Sequence, residues 1–69
     1  MQIYDFTVPE LNKFRELCNF SPQELEYFNL RARHKSNVEI SMDMHVSEAQ
    51  VSKLARKVKD KIIRVLPLI

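Results

Sequence analysis

Residues 36–54 read Ser36-Asn37-Val38-Glu39-Ile40-Ser41-Met42-Asp43-Met44-His45-Val46-Ser47-Glu48-Ala49-Gln50-Val51-Ser52-Lys53-Leu54, and their spacing decides the fold. Ser36 opens a short helix that ends by Met44, with Val38 or Glu39, Ile40 and Met44 around one packing face. His45 follows at a turn position that tends toward the left-handed conformation, which histidine and asparagine tolerate better than most side chains. Val46 sits in the turn. Ser47 with Gln50 then predicts a capping box at the start of a second helix, whose apolar stripe begins at Val51 and Leu54. Helix, tight turn and second helix make up the helix-turn-helix, in which the second helix lies in the DNA major groove.

Outward from this stretch, the second helix continues to about Leu66, where Pro67 forbids more α-structure within a residue or two. On a wheel of about 100° per residue, Val51, Leu54, Ala55, Val58, Ile62, Val65 and Leu66 share one broad arc. Ala49, Lys53, Arg56 and Asp60 lie opposite, flanked by Lys57 and Arg64. Ile63 falls off the apolar stripe and, with Leu68 and Ile69, makes a C-terminal apolar patch that either the tail covers or a second subunit meets. Upstream, Ser21-Pro22-Gln23-Glu24 is a capping box with proline at the first helical position. It starts a helix with Leu25, Phe28 and Ala32 on one face, flanked by Tyr27 and Leu30, that fades near His34. A first helix spans about Pro9 to Asn19, with Leu11, Phe14, Leu17 and Cys18 facing inward. The expected fold is all-α: a small four-helix bundle with a helix-turn-helix. A single domain covers 1–69, with an extended segment at 1–8, a helical core at 9–66 and a tail at 67–69.

Sixty-nine residues allow one small domain with a limited core. Glycine is absent, which argues against the phosphate-cradling nucleotide loops and the usual hairpin turns; only Gln2–Val8 is left as a candidate strand. The lone Cys18 gives no internal disulfide and fits a reducing compartment. Cys18, His34 and His45 lack metal-ligand spacing, so no metal and no cofactor are expected. No apolar run approaches the roughly 20 residues of a membrane span, and no basic start leads into an apolar stretch. The expected setting is the cytoplasm, without membrane contact. Net charge is +2, unevenly placed: residues 1–46 hold five basic and seven acidic side chains, and residues 47–69 six basic and two acidic, for +4. Cations on and beyond the second helix of the motif suit a phosphate backbone, though lysines can equally serve a solvated face.

At Phe20-Ser21-Pro22-Gln23-Glu24-Leu25-Glu26-Tyr27-Phe28-Asn29-Leu30, Ser36-Asn37-Val38-Glu39-Ile40-Ser41 and Val46-Ser47-Glu48-Ala49-Gln50-Val51, the chain resembles the LuxR-type DNA-binding domain. These stretches follow that family's Leu-Thr-Pro-Arg-Glu-x-Glu-Val-Leu-x-Leu, Ser-Asn-x-Glu-Ile-Ala and Ile-Ser-x-x-Thr-Val in one register, without a gap, over about residues 20 to 62. The family shares its tetrahelical helix-turn-helix with sigma-factor region 4. Ser41 stands where the family has alanine, His45 where it has the turn glycine, and Ser52 where lysine is common. The last two leave the DNA target open. The resemblance implies a free-standing DNA-binding module, as in small bacterial or phage regulators and mobile-element proteins.

A helix in the major groove brings its N-terminal residues to base edges. Ala49, Gln50, Lys53 and Arg56 are the groove-facing candidates, with Ser52 beside them. Gln50 suits adenine, Lys53 guanine, and Ala49 a thymine methyl. Ser47, Ser36, Asn37, Lys35, Lys57 and Arg33 are phosphate candidates, whereas Glu48 suits the helix dipole. No catalysis is expected: Ser41, Asp43 and His45, like Glu24 and Glu26, stand two apart and point to different sides of a helix. A chain this small also has little room for a small-molecule substrate pocket. The rival expectation is a protein-interaction module acting on RNA polymerase or a sigma factor without reading DNA. Its surface would be Met42, Met44 and the Ile63, Leu68 and Ile69 patch, which also serves a homodimer.

Overall fold

Three of the four helices begin at a hydroxyl residue followed three positions later by glutamate. In the computed structural model, which describes residues 2–69, each such pair closes a full capping box. Thr7 and Glu10 start α1 (Val8–Leu17), Ser21 and Glu24 start α2 (Pro22–Ala32), and Ser36 and Glu39 start α3 (Asn37–Met44). The hydroxyl accepts from the glutamate's backbone N–H, and the carboxylate accepts from the hydroxyl residue's own N–H. α4 (Glu48–Val65) departs from the pattern. The Ser47 hydroxyl accepts from the Gln50 N–H at 3.1 Å, but the Gln50 side chain does not return the bond. The box expected there is half made, because a neutral carboxamide is a weaker acceptor than a carboxylate.

The helix ends solve the problem set by a chain with no glycine. Asn19, His34 and His45, the residues that terminate α1, α2 and α3, all have positive φ, of 52°, 64° and 57°. At His45 the turn closes with the His45 N–H donating to the Met42 carbonyl at 3.3 Å and the Val46 N–H to the Ser41 carbonyl at 3.0 Å. The same paired closure recurs after α2, where His34 donates to Arg31 and Lys35 to Leu30. Polar residues carry a conformation that glycine adopts without steric cost.

The four helices pack around one core, and the described residues contain no strand. Phe14, Phe28, Ile40, Val51, Val58 and Ile62 are fully enclosed, and α4 lies mainly against α2 and α3. The rings of Phe6, Phe14, Phe28 and Phe20 run edge to face or tilted through the α1–α2 contact, with successive centroids 4.8, 6.4 and 5.0 Å apart. Arg15 locks the same contact, donating to the Asn29 side chain at 2.9 Å with its guanidinium over Phe28.

Several expectations shift. Gln2–Val8 is no strand: Ile3–Asp5 forms a 3-10 turn that buries Ile3, and Val8 already belongs to α1. α1 stops at Leu17, and Leu17 is exposed, because Cys18 and Phe14 take the inward positions at that end. Leu25, Val38 and Leu66 also face outward; α2 turns Tyr27 with Phe28 to the core, and α3 turns Ile40 and Met44. The tail is a second 3-10 turn, Leu66–Leu68.

Candidate functional site

α4 is held at two points, one in each half. Its start is fixed by the His45 closure and by Val46, which packs on the core. Its far half is fixed by Lys61, whose ammonium reaches the buried Glu24 carboxylate and the Asn19 carbonyl. Glu24 thus serves two elements at once, since the same Oε1 also accepts from the Ser21 N–H at 2.9 Å. The lysine bond and the Ser21 backbone bond hold the Glu24 carboxyl below its ordinary pKa, against the opposing effect of burial. The link between Lys61 and Glu24 was hidden in the sequence. Lys61 flanks the apolar stripe of α4, which signals a partly covered stem, but its partner lies 37 positions away.

From this anchored helix, Ser47, Ala49, Ser52, Lys53, Arg56 and Lys57 project to solvent, and Gln50 is half-buried beside them. Lys53, Arg56 and Lys57 take part in no ion pair among the described residues. The only carboxylate on this half is Glu48, in the first turn, where a helix dipole favours it. The result is an exposed face carrying three cations, a small apolar contact and two polar side chains on adjacent turns.

The phosphate candidates on α3 divide. Ser36 and Asn37 are exposed at its start. The Ser36 hydroxyl accepts from the Glu39 N–H at 3.2 Å, which leaves its own hydrogen free to donate. Lys35 is engaged: its ammonium lies 3.9 Å from Glu39 and 3.8 Å from Asp43. The Ser36 hydrogen bonds also lower the Glu39 pKa. Arg33 is exposed at the end of α2. Ser41 donates to the Val38 carbonyl and Asp43 pairs with Lys35, so Ser41, Asp43 and His45 are not assembled with one another.

At the other end of α4, Ile63 is 50% exposed, and Leu66, Leu68 and Ile69 are exposed with it. The tail turns on itself, with Ile69 N–H donating to the Leu66 carbonyl, and does not cover Ile63. Met42 is exposed on α3 and Met44 half-buried. Cys18 is buried, which raises its thiol pKa. Among the described residues no three His, Cys, Asp or Glu side chains gather as a metal site would need, and no helix is long and apolar enough to cross a membrane. No family model, curated protein or solved structure matches the chain.

Proposed function

We propose that this protein is a sequence-specific DNA-binding transcriptional regulator. In this reading α3, the His45 turn and α4 form a helix-turn-helix of the LuxR and sigma region 4 kind, and α4 enters the major groove. The observation that carries the reading is the exposed N-terminal face of α4, where Lys53, Arg56 and Lys57 have no carboxylate partner among the described residues. Lys53 and Arg56 read guanine edges, Gln50 reads adenine, and Ala49 and Ser52 make the close contacts. Ser47, Ser36, Asn37 and Lys57 hold phosphates, and Lys35 joins them only by leaving Glu39 and Asp43. The half-made cap supports the role given to Gln50, since its carboxamide is not tied to Ser47. The protein acts by binding in the cytoplasm, without catalysis, cofactor or small-molecule substrate. A selection from random duplexes with the purified chain tests this. An enriched motif is expected, and recovery of no motif at low salt contradicts the reading.

The exposed Ile63, Leu68 and Ile69 favour a second contact. We assign this patch to a homodimer that places two copies of α4 on neighbouring half-sites. The alternative function uses the same patch and the 67%-exposed Met42 to engage RNA polymerase or a sigma factor without reading DNA. Charge separates the two. DNA reading is lost with Lys53→Glu, whereas the protein contact survives that change and is lost with Ile63→Asp.

A further inference from the structure

Beyond the α4 face, a cleft of about 230 Å³ opens between the Ile3–Asp5 turn, α2, the start of α3 and the middle of α4. Tyr27, Arg31, Asn37 and Lys59 line it, over an apolar floor that includes Ala55 and Ile62. Among the described residues no carboxylate lines it. Among the described residues Arg31 hydrogen-bonds only neutral oxygens, donating to the Lys35 carbonyl at 2.8 Å and reaching the Gln2 side chain at 3.5 Å, while its guanidinium lies 5.8 Å from the Tyr4 ring centre. Lys59 takes part in no ion pair among the described residues. Two cations therefore face one concavity without a counter-charge.

Tyr27 supplies the second sign. It is 4% exposed, and its hydroxyl makes no hydrogen bond among the described residues. No described side-chain oxygen is both sealed from solvent and unpartnered. The hydroxyl must then open onto space, and the cleft is the space that Tyr27 lines. Burial raises the Tyr27 pKa against an opposing pull from Arg31, so the group stays a donor at neutral pH. A hydroxyl on a buried ring, a guanidinium, an ammonium and the first turn of an α-helix line one space where the oxygens that Arg31 meets are neutral and no described carboxylate balances the charge.

We infer that this cleft is an oxyanion site, taking a phosphate group through Tyr27, Arg31, Asn37 and Lys59. The phosphate comes either from the duplex backbone or from a free phosphoryl compound, whose organic part would rest on the Ala55 and Ile62 floor. The full chain, free of DNA, is titrated with inorganic phosphate against chloride at equal ionic strength and followed by amide NMR. Saturable shifts at Asn37 and Lys59 are expected. Lys59→Met and Tyr27→Phe, which remove a charge and a hydroxyl while keeping the apolar stem and the ring, are each expected to weaken binding about tenfold with unchanged melting. Shifts that never saturate, or that persist unchanged in both variants, overturn the site. A second arm measures duplex retention in phosphate and in chloride. Competition by phosphate assigns the site to the duplex backbone; saturable phosphate binding without competition assigns it to a free ligand. The first arm needs no duplex, so it reads the cleft whether or not α4 binds DNA.

Discussion

From Glu48 to Lys57, α4 turns Ala49, Ser52, Lys53, Arg56 and Lys57 to solvent and leaves its cations without partners among the described residues. From Val58 to Val65 the same helix ties Lys61 to Glu24, carries Asp60, and exposes Ile63 beside Arg64. The basic residues of the two halves look alike in sequence. What separates them is where each falls relative to the buried stripe of Val51, Leu54, Val58, Ile62 and Val65. Lys61 flanks that stripe and becomes a structural anchor, whereas Lys53 and Arg56 lie opposite it and remain available. A cation count along the chain cannot make this distinction; position around the helix can.

The contrast breaks most readily at the anchor. Lys61→Met leaves the Glu24 carboxylate without its cation and, because water still reaches the pair from the lysine side, is expected to cost about 1 to 2 kcal/mol, read from urea unfolding. Adding Glu24→Gln should restore part of that loss, because no charge is then left stranded. An unchanged midpoint for Lys61→Met would mean that the pair does not hold the far half of α4.

Acid probes the same pair with its sign fixed. The Glu24 pKa is depressed in the folded chain, so its contribution is complete above the unfolded carboxylate value of about 4.3 and is lost as pH falls toward the lower folded value. Glu39 acts in the same direction through Ser36. Urea midpoints from pH 7 downward should therefore drop through the acid range, and the drop should be shallower in Glu24→Gln. Equal slopes in the two proteins would remove Glu24 as a source of acid sensitivity.

A smaller effect sharpens the other half. His45→Gly relieves a left-handed side chain and is expected to stabilise by about 0.5 to 1 kcal/mol, visible as a higher melting temperature. It alters no residue of the α4 face, so duplex retention should be unchanged. A lower melting temperature would show that the imidazole contributes more than its conformation costs. Smallest in stability is Ile63→Asp, expected within about 0.5 kcal/mol because the residue is half exposed. Its readout is sedimentation, where self-association of the parent chain should disappear. Equal association in both proteins would move the dimer contact elsewhere.

Much of this architecture was legible because it rests on local chemistry. Ser21 with Glu24, the Ser36 start, the His45 turn and the apolar stripe of α4 are all short-range patterns. Thr7-Val8-Pro9-Glu10 spells the first capping box as plainly as Ser21 to Glu24 spells the second. Asn19 and His34 repeat the left-handed ending of His45. Other features depend on packing across the chain and leave no local trace. The Lys61–Glu24 pair, the engagement of Lys35 by Glu39 and Asp43, and the cleft under Tyr27 each join residues that only the folded helices bring together. The half-made Ser47 cap shows the reverse case, a local motif whose second bond does not form.

The proposed division of α4 is tested most directly by measuring duplex binding against salt for the parent chain and for Lys53→Glu with Arg56→Glu. Reading DNA through the near half predicts that affinity falls with log salt by about 0.9 per phosphate neutralised, and that the double variant loses retention while melting as the parent does. Equal retention by the two proteins, or none by the parent at low salt, would contradict it.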